Sequence, residues 1–145
     1  MRIAYRSADG NVCIVNGAPG VPLASVMKAV PQDATDIHQI EDSDVPADRT
    51  FRNAWDMDKD GRIVTDMVKA RVVQQDRLRA DRAPLFAQLD TAFMRAVEKG
   101  DADAIKAIGA EKQKLRDATL DPRIMRARTP DDLKSISLPV VKTDW

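Results

Sequence analysis

Residues 66–101 read DMVKARVVQQDRLRADRAPLFAQLDTAFMRAVEKGD, and this stretch decides the fold. It carries no glycine between Asp66 and Lys99, and it is dense in Ala, Leu, Arg, Gln and Met, all strong helix formers. Thr65 or Asp66 can cap its start, and Lys99-Gly100 can end it. Pro84 falls inside. No Gly or Asn precedes it to close a first helix, so the spacing predicts one long kinked helix rather than two. After Pro84, Leu85, Leu89, Ala92, Phe93 and Ala96 recur on one helical face, with Val97 beside it. Before Pro84 the apolar stripe is thin. Met67, Ala70, Val73 and Leu78 are separated by Arg71, Gln74, Gln75, Arg77 and Arg79, so this section is expected to project from the body or to meet a partner.

C-terminal to this stretch, Gly100 suits the residue just past a helix end, and Asp101 suits the next N-cap. Ile105, Ile108, Leu115 and Thr119 give a second helix one apolar face, ending near residues 117–121 before Pro122. The short link implies an antiparallel pair. Thr129-Pro130-Asp131-Asp132 has the form of a capping box and opens a short third helix with Leu133 and Ile136. Residues 137–145, SLPVVKTDW, are a tail that is either loose or adds an edge strand to a partner.

N-terminal to the stretch the pattern shortens. Arg2 to Arg6 alternates, with Ile3 and Tyr5 on one side. An Asp9-Gly10 turn follows, then the β-branched run Val12 to Val15, which together predict a β-hairpin. Pro22 can open a short helix carrying Leu23, Val26, Met27 and Val30, closed by Pro31. Asp36 to Ile40 alternates again and reads as a third strand. Asp48 or Thr50 can cap a turn carrying Phe51, and Phe51 and Trp55 are expected to close a small core. Trp55 leads into a polar hairpin whose return strand is Arg62-Ile63-Val64. The whole predicts an α+β chain. Residues 1–65 form a small N-terminal hairpin and sheet unit, residues 66–136 a long kinked antiparallel helical hairpin with a short third helix, and residues 137–145 an extended tail.

Composition narrows the function. In 145 residues, 43% are hydrophobic and 32% charged, and Lys plus Arg (23) balances Asp plus Glu (23). A zero net charge argues against nucleic acid, which needs a basic surplus, and against a polybasic membrane anchor. Aromatic side chains, at 4%, are too few for a base-stacking platform. No stretch approaches the roughly 20 apolar residues of a membrane span, and the first residues hold no signal-peptide core. The expectation is a soluble, cytoplasmic protein.

The single cysteine, Cys13, lies in the second strand and reads as a small buried hydrophobe. The single histidine, His38, lies in the third strand and reads as a surface or half-buried residue; any His-dependent catalysis would have to be built around it. With one of each, neither an intrachain disulfide nor a Cys/His zinc set can form. There is no Gly-rich phosphate loop, no HExxH pair and no GxSxG elbow, so no enzymatic reading follows and no cofactor is expected. The acids among the helical Arg and Lys read as solvated pairs.

One motif invites a metal. Asp56, Asp58 and Asp60 occupy positions 1, 3 and 5 of an EF-hand loop, followed by Gly61 at 6 and Ile63 at 8. Position 12, where a bidentate Glu belongs, is Met67. A small calcium-binding module therefore stands as an alternative to a charged hairpin turn ending in Asp-Gly.

A series of segments then resembles a family. Phe51-Arg52-Asn53-Ala54-Trp55, Gly61-Arg62-Ile63-Val64, Asp66-Met67-Val68-Lys69-Ala70-Arg71, Asp76-Arg77-Leu78-Arg79, Arg82-Ala83-Pro84-Leu85, Leu89-Asp90, and Lys112-Gln113-Lys114-Leu115-Arg116-Asp117 with the following Pro122 occur in this order. Over residues 49–136 the pattern resembles the tail-fibre assembly chaperones, and related small tail-region proteins, of tailed bacteriophages. The departure is the segment before Lys112. Such chaperones often carry a tryptophan there, and this chain has Phe93-Met94 and the Glu98–Asp103 link instead.

The resemblance implies a non-enzymatic protein that binds a phage tail or tail-fibre protein in the host cytoplasm during assembly. The alternative within the resemblance is a structural subunit of the virion tail or fibre. A homo-oligomer is also compatible, since helical hairpins with thin stripes often self-associate. Inhibition of a host defence protein is a further reading that rests on small size alone. The expected partner contacts are Met67, Val68, Val72 and Leu78 on the thinly apolar helix and Val140, Val141 and Trp145 in the tail.

Overall fold

The computed structural model describes residues 1–145. The fold is mixed α+β, with small antiparallel sheets near the N-terminus followed by long helices. The chain divides into two compact units, Met1–Ala70 and Arg71–Trp145, and the division falls inside the longest helix.

In the first unit, β1 (Arg2–Arg6) lies between β2 (Val12–Asn16) and β3 (Thr35–Ile40) in a three-stranded antiparallel sheet of order β2-β1-β3. Arg2 faces Asn16 and Arg6 faces Val12, which places the turn over Ser7–Asn11 as Asp9-Gly10 requires. The alternation expected of β1 is incomplete. Ile3 and Tyr5 are buried, but so is Ala4 between them, because a central strand is covered on both faces. Ala4 closes against Ile40, Val45, Trp55, Met57 and Ile63. Phe51 and Trp55 are both buried, and Trp55 belongs to this core.

The helix α1 is Leu23–Met27, shorter than the pattern to Val30 suggests. Only its Val26 is buried, so nothing covers a longer apolar face. The polar hairpin is β4 (Trp55–Met57) paired with β5 (Ile63–Thr65), with Met57 opposite Ile63. Asp66 then starts the long helix α2 (Met67–Lys99). Its carboxylate accepts the amides of Val68 at 2.9 Å and of Lys69 at 3.3 Å, as an N-cap does.

In the second unit, α2 runs through Pro84 without a break, as one helix. It ends in a Schellman arrangement. The Gly100 amide donates to the Val97 carbonyl and the Asp101 amide to that of Ala96. Gly100 takes the left-handed conformation this end requires, at φ 66°. Asp101 then caps α3 (Ala102–Asp117) by accepting from the Ala104 amide. Leu89, Ala92 and Ala96 of α2 form one core with Ile108 and Leu115 of α3. The pair is antiparallel, with Lys112 bridged to Asp90 and Arg82 donating to the Leu115 carbonyl.

A 3-10 turn (Ala118–Leu120) leads to α4 (Pro122–Arg126), a helix absent from the sequence reading. Pro122 is its first residue, Asp121 accepts from the Arg123 amide, and Ile124 is buried. Its signal in the sequence is the Asp-Pro pair, which is ambiguous because Pro122 reads equally well as a stop. The last helix, α5 (Pro130–Lys134), has the capping box expected of Thr129 and Asp132.

Candidate functional site

The section of α2 after residue 70 does not project from its unit. Its polar side chains, which thin the apolar stripe, point at backbone carbonyls of the C-terminal elements. Gln74, 2% exposed, donates from Nε2 to the Ile136 carbonyl at 2.6 Å and accepts on Oε1 from Arg77 at 2.9 Å. Arg71 donates to the Ala127 carbonyl, Gln75 to that of Thr119 and Arg82 to that of Leu115. These carbonyls lie at or near helix ends, where the chain's own amides leave acceptors unmet. A hydrophobicity pattern does not register such ties, since the side chains holding the helix in place count as polar.

This placement corrects one expected contact. Leu78 is 1% exposed and belongs to the interior, so its side chain is not offered to a partner. Of the other residues expected on α2, Met67 is half-buried, Val68 is 70% exposed and Val72 is exposed.

The C-terminal residues form neither an edge strand nor a helix. They run as a strap on the α2–α3 pair. Leu138 and Val141 pack against its core beside Leu85, Phe86, Phe93 and Ile105. The Lys142 amide donates to Glu111 Oε2 at 3.2 Å. The Glu111 carboxyl is held below its ordinary pKa, first by the Lys114 ammonium and then by this amide. Trp145 donates its ring N–H to the Lys142 carbonyl. The Lys142 ammonium sits 4.4 Å from the indole centroid, within cation–π range. Of the tail residues expected to meet a partner, Val140 is 95% exposed, Val141 is half-buried against the core, and Trp145 is exposed.

Where the strap begins, an open groove of about 670 Å³ is lined by Ala118, Pro122, Leu138, Pro139 and Val140, with Lys114, Asp117, Asp121 and Arg123 as its charged residues. Arg123 forks onto Asp121, and this contact holds the Asp121 carboxyl below its ordinary pKa. In the adjoining turn and helix, Leu120 (75% exposed) and Met125 (69% exposed) present large apolar side chains to solvent. The sequence reading does not single out these two. They lie at a corner between short elements, where no periodicity assigns a face.

Two of the three aspartates that suggest calcium have other partners. Asp56 Oδ1 is 2.8 Å from the Arg6 guanidinium. Asp58 Oδ1 accepts the amides of Asp60 and Arg62, the Asx geometry of a tight turn. No group of three or more His, Cys, Asp or Glu side chains converges as a metal ligand set. Gly61, at φ 81°, abuts His38, and a Cβ there would come within 2.5 Å of the imidazole Cγ. His38 is thus a half-buried strand residue under a turn. Cys13 is half-buried opposite Tyr5, whose hydroxyl pKa is pushed up by burial first and by Cys13 second. No helix is long and apolar enough to cross a membrane.

No protein-family model, curated protein or solved structure matches this chain.

Proposed function

We propose that this chain is a non-enzymatic binding protein of tailed-bacteriophage assembly, a tail-fibre chaperone that holds the fibre protein in the host cytoplasm. The observation that carries the binding reading is the apolar surface around the strap. Leu120, Met125 and Val140 are exposed, and Val140 lines an open groove of about 670 Å³ together with Leu138 and Pro139. Large apolar side chains left in solvent, and an open groove that mixes apolar with charged lining, suit a protein contact better than a small-molecule pocket. The assignment to fibre assembly rests on the ordered motifs of residues 49–136.

A fibre subunit exposes apolar segments until it trimerises, and a chaperone covers them with a surface of this kind. The test is quantitative mass spectrometry on two fractions from cells producing the phage: fibre protein captured before assembly, and purified particles. A chaperone is enriched in the first and absent from the second. A fixed ratio to tail proteins in the particles would instead make the chain a virion subunit.

A further inference from the structure

We infer that a cleft in the first unit, between the end of the β1–β2 turn and the start of β4, is a binding site for a small organic carboxylate, read by Arg52 and by the indole N–H of Trp55. This goes beyond the phage reading and does not depend on it.

The cleft has a volume of about 400 Å³ and is lined by Asn11, Val12, Arg52, Asn53 and Trp55. That volume lies within the range of small-molecule sites. Local structure brings the five residues together. Asn11 closes the turn, its carbonyl accepting from the Ser7 amide, and Val12 is the first residue of β2. Arg52 and Asn53 lie in a 3-10 turn, Arg52–Ala54, that runs straight into Trp55, the first residue of β4. Trp55 belongs to the core of this unit and Val12 packs against it, so these two give the cleft an apolar wall.

The remaining groups want an acceptor. Trp55 is 4% exposed, so packing fixes its ring. Its indole N–H nevertheless donates to no group of the chain. Nor is that nitrogen sealed in the interior, since Arg71 Nε is the one sealed side-chain nitrogen or oxygen without a partner. The N–H therefore reaches accessible space, and the cleft is space that Trp55 borders. An indole N–H is a donor only, and on a buried ring it ordinarily has a partner. Arg52 is likewise uncommitted, in a chain where Arg2, Arg6, Arg79 and Arg123 are all paired with aspartates. The carboxamides of Asn11 and Asn53 hold no bond within the chain either.

The charge decides the class of ligand. Arg52 is the only ionisable residue of the lining, so no protein carboxylate competes with an anion there. One guanidinium answers one negative charge, and its planar fork matches the two oxygens of a carboxylate. A phosphate dianion would find only half its charge answered. The ligand that fits is a monocarboxylate with a flat or apolar body for Trp55 and Val12, and the two carboxamides are left for its further polar groups.

The test titrates the full-length chain with benzoate, sodium chloride holding the ionic strength constant. The chain has two tryptophans, hence two indole N–H resonances in a nitrogen–proton correlation spectrum. Trp145, whose N–H is bound to the Lys142 carbonyl, is the internal control. Benzoate should move the Trp55 resonance saturably and leave that of Trp145 in place. Benzamide keeps the ring without the charge, and should bind at least about tenfold more weakly, the cost of losing a charge-assisted hydrogen bond.

Arg52→Gln and Asn53→Asp should each weaken benzoate by a similar factor, the first by removing the cation and the second by placing an acid in the cleft. Both side chains are exposed and have no partner to lose, so melting should not change. Four results overturn the inference: a Trp55 resonance that benzoate does not move, indoles that move alike, benzamide binding as well as benzoate, or Arg52→Gln binding as the unaltered chain does. Inorganic phosphate binding more tightly than benzoate would overturn the carboxylate assignment. The titration involves no fibre protein, so absence of the chain from fibre complexes would refute the phage assignment and leave this site standing.

Discussion

At the scale of single residues, the loop Asp56–Gly61 shows how one pattern serves two chemistries. Alternating carboxylates before a glycine suit a cation cage, and they suit a tight turn equally well. What decides between them is a partner distant in sequence. Arg6, from β1, lies 2.8 Å from Asp56 and 3.0 Å from Asp36, joining one guanidinium to two strands. No local reading of residues 56–63 reveals Arg6, which is why this part of the site is illegible in the sequence. The pairing has a pH consequence. The Arg6 hydrogen bond holds Asp56 below its ordinary value of 3.8, outweighing the opposing effect of burial. Its contribution to stability is complete above that ordinary value and is lost as pH falls through it and through the lower folded value. Urea midpoints measured down the acid range should therefore fall less steeply in Asp56→Asn than in wild type, and identical slopes would refute the role. Gly61 is the second test. A Cβ there meets both a positive φ and the His38 ring. Gly61→Ala should therefore lower stability by roughly 1–3 kcal/mol in urea unfolding, the range of a strained backbone or an overpacked site. Gly10 has a similar φ of 80° but open space around it. Gly10→Ala should thus cost less than Gly61→Ala in the same assay, and an equal cost would mean that the His38 ring yields.

At the scale of elements, the long helices are legible because their signals are local. Asp66, the Lys99-Gly100 stop and Asp101 all act within one turn of the residues they cap, and each does what its type predicts. The behaviour of residues 71–82 is not legible. Periodicity registers burial of apolar side chains, whereas this section is held by Arg71, Gln74, Gln75 and Arg82 through carbonyls more than thirty residues away. Gln74 gives the sharpest test. Gln74→Leu keeps the volume but removes the donor from the Ile136 carbonyl, and should cost about 1–3 kcal/mol in chemical unfolding. A neutral effect would mean that the carbonyl finds another donor. Pro84 tests the converse. It removes an amide from the ladder of α2 in a helix that continues past it, and it is exposed. Pro84→Ala should therefore raise stability, by up to about 3 kcal/mol, in thermal or urea unfolding. A loss would show that the second unit depends on the helix shape that proline imposes.

At the scale of the whole molecule, the class of fold is readable and the exposed apolar surface only in part. Switches between two-residue and helical periodicity predict an α+β chain without any tertiary information. Surface exposure depends on which faces the units leave open. Val140 and Val141 read alike in the sequence, yet Val140 is exposed and Val141 half-buried, and Leu78 reads as a contact residue although its unit buries it. Leu120 and Met125 become visible only once the corner between α3 and α4 is placed. The exposed apolar residues and the motifs of residues 49–136 are what support the proposal that the chain holds another protein. The most direct measurement is quantitation of this chain by mass spectrometry in fibre protein captured from phage-producing cells, against its level in purified particles. The account predicts stoichiometric recovery with the unassembled fibre and none in particles. Absence from the fibre fraction would contradict it.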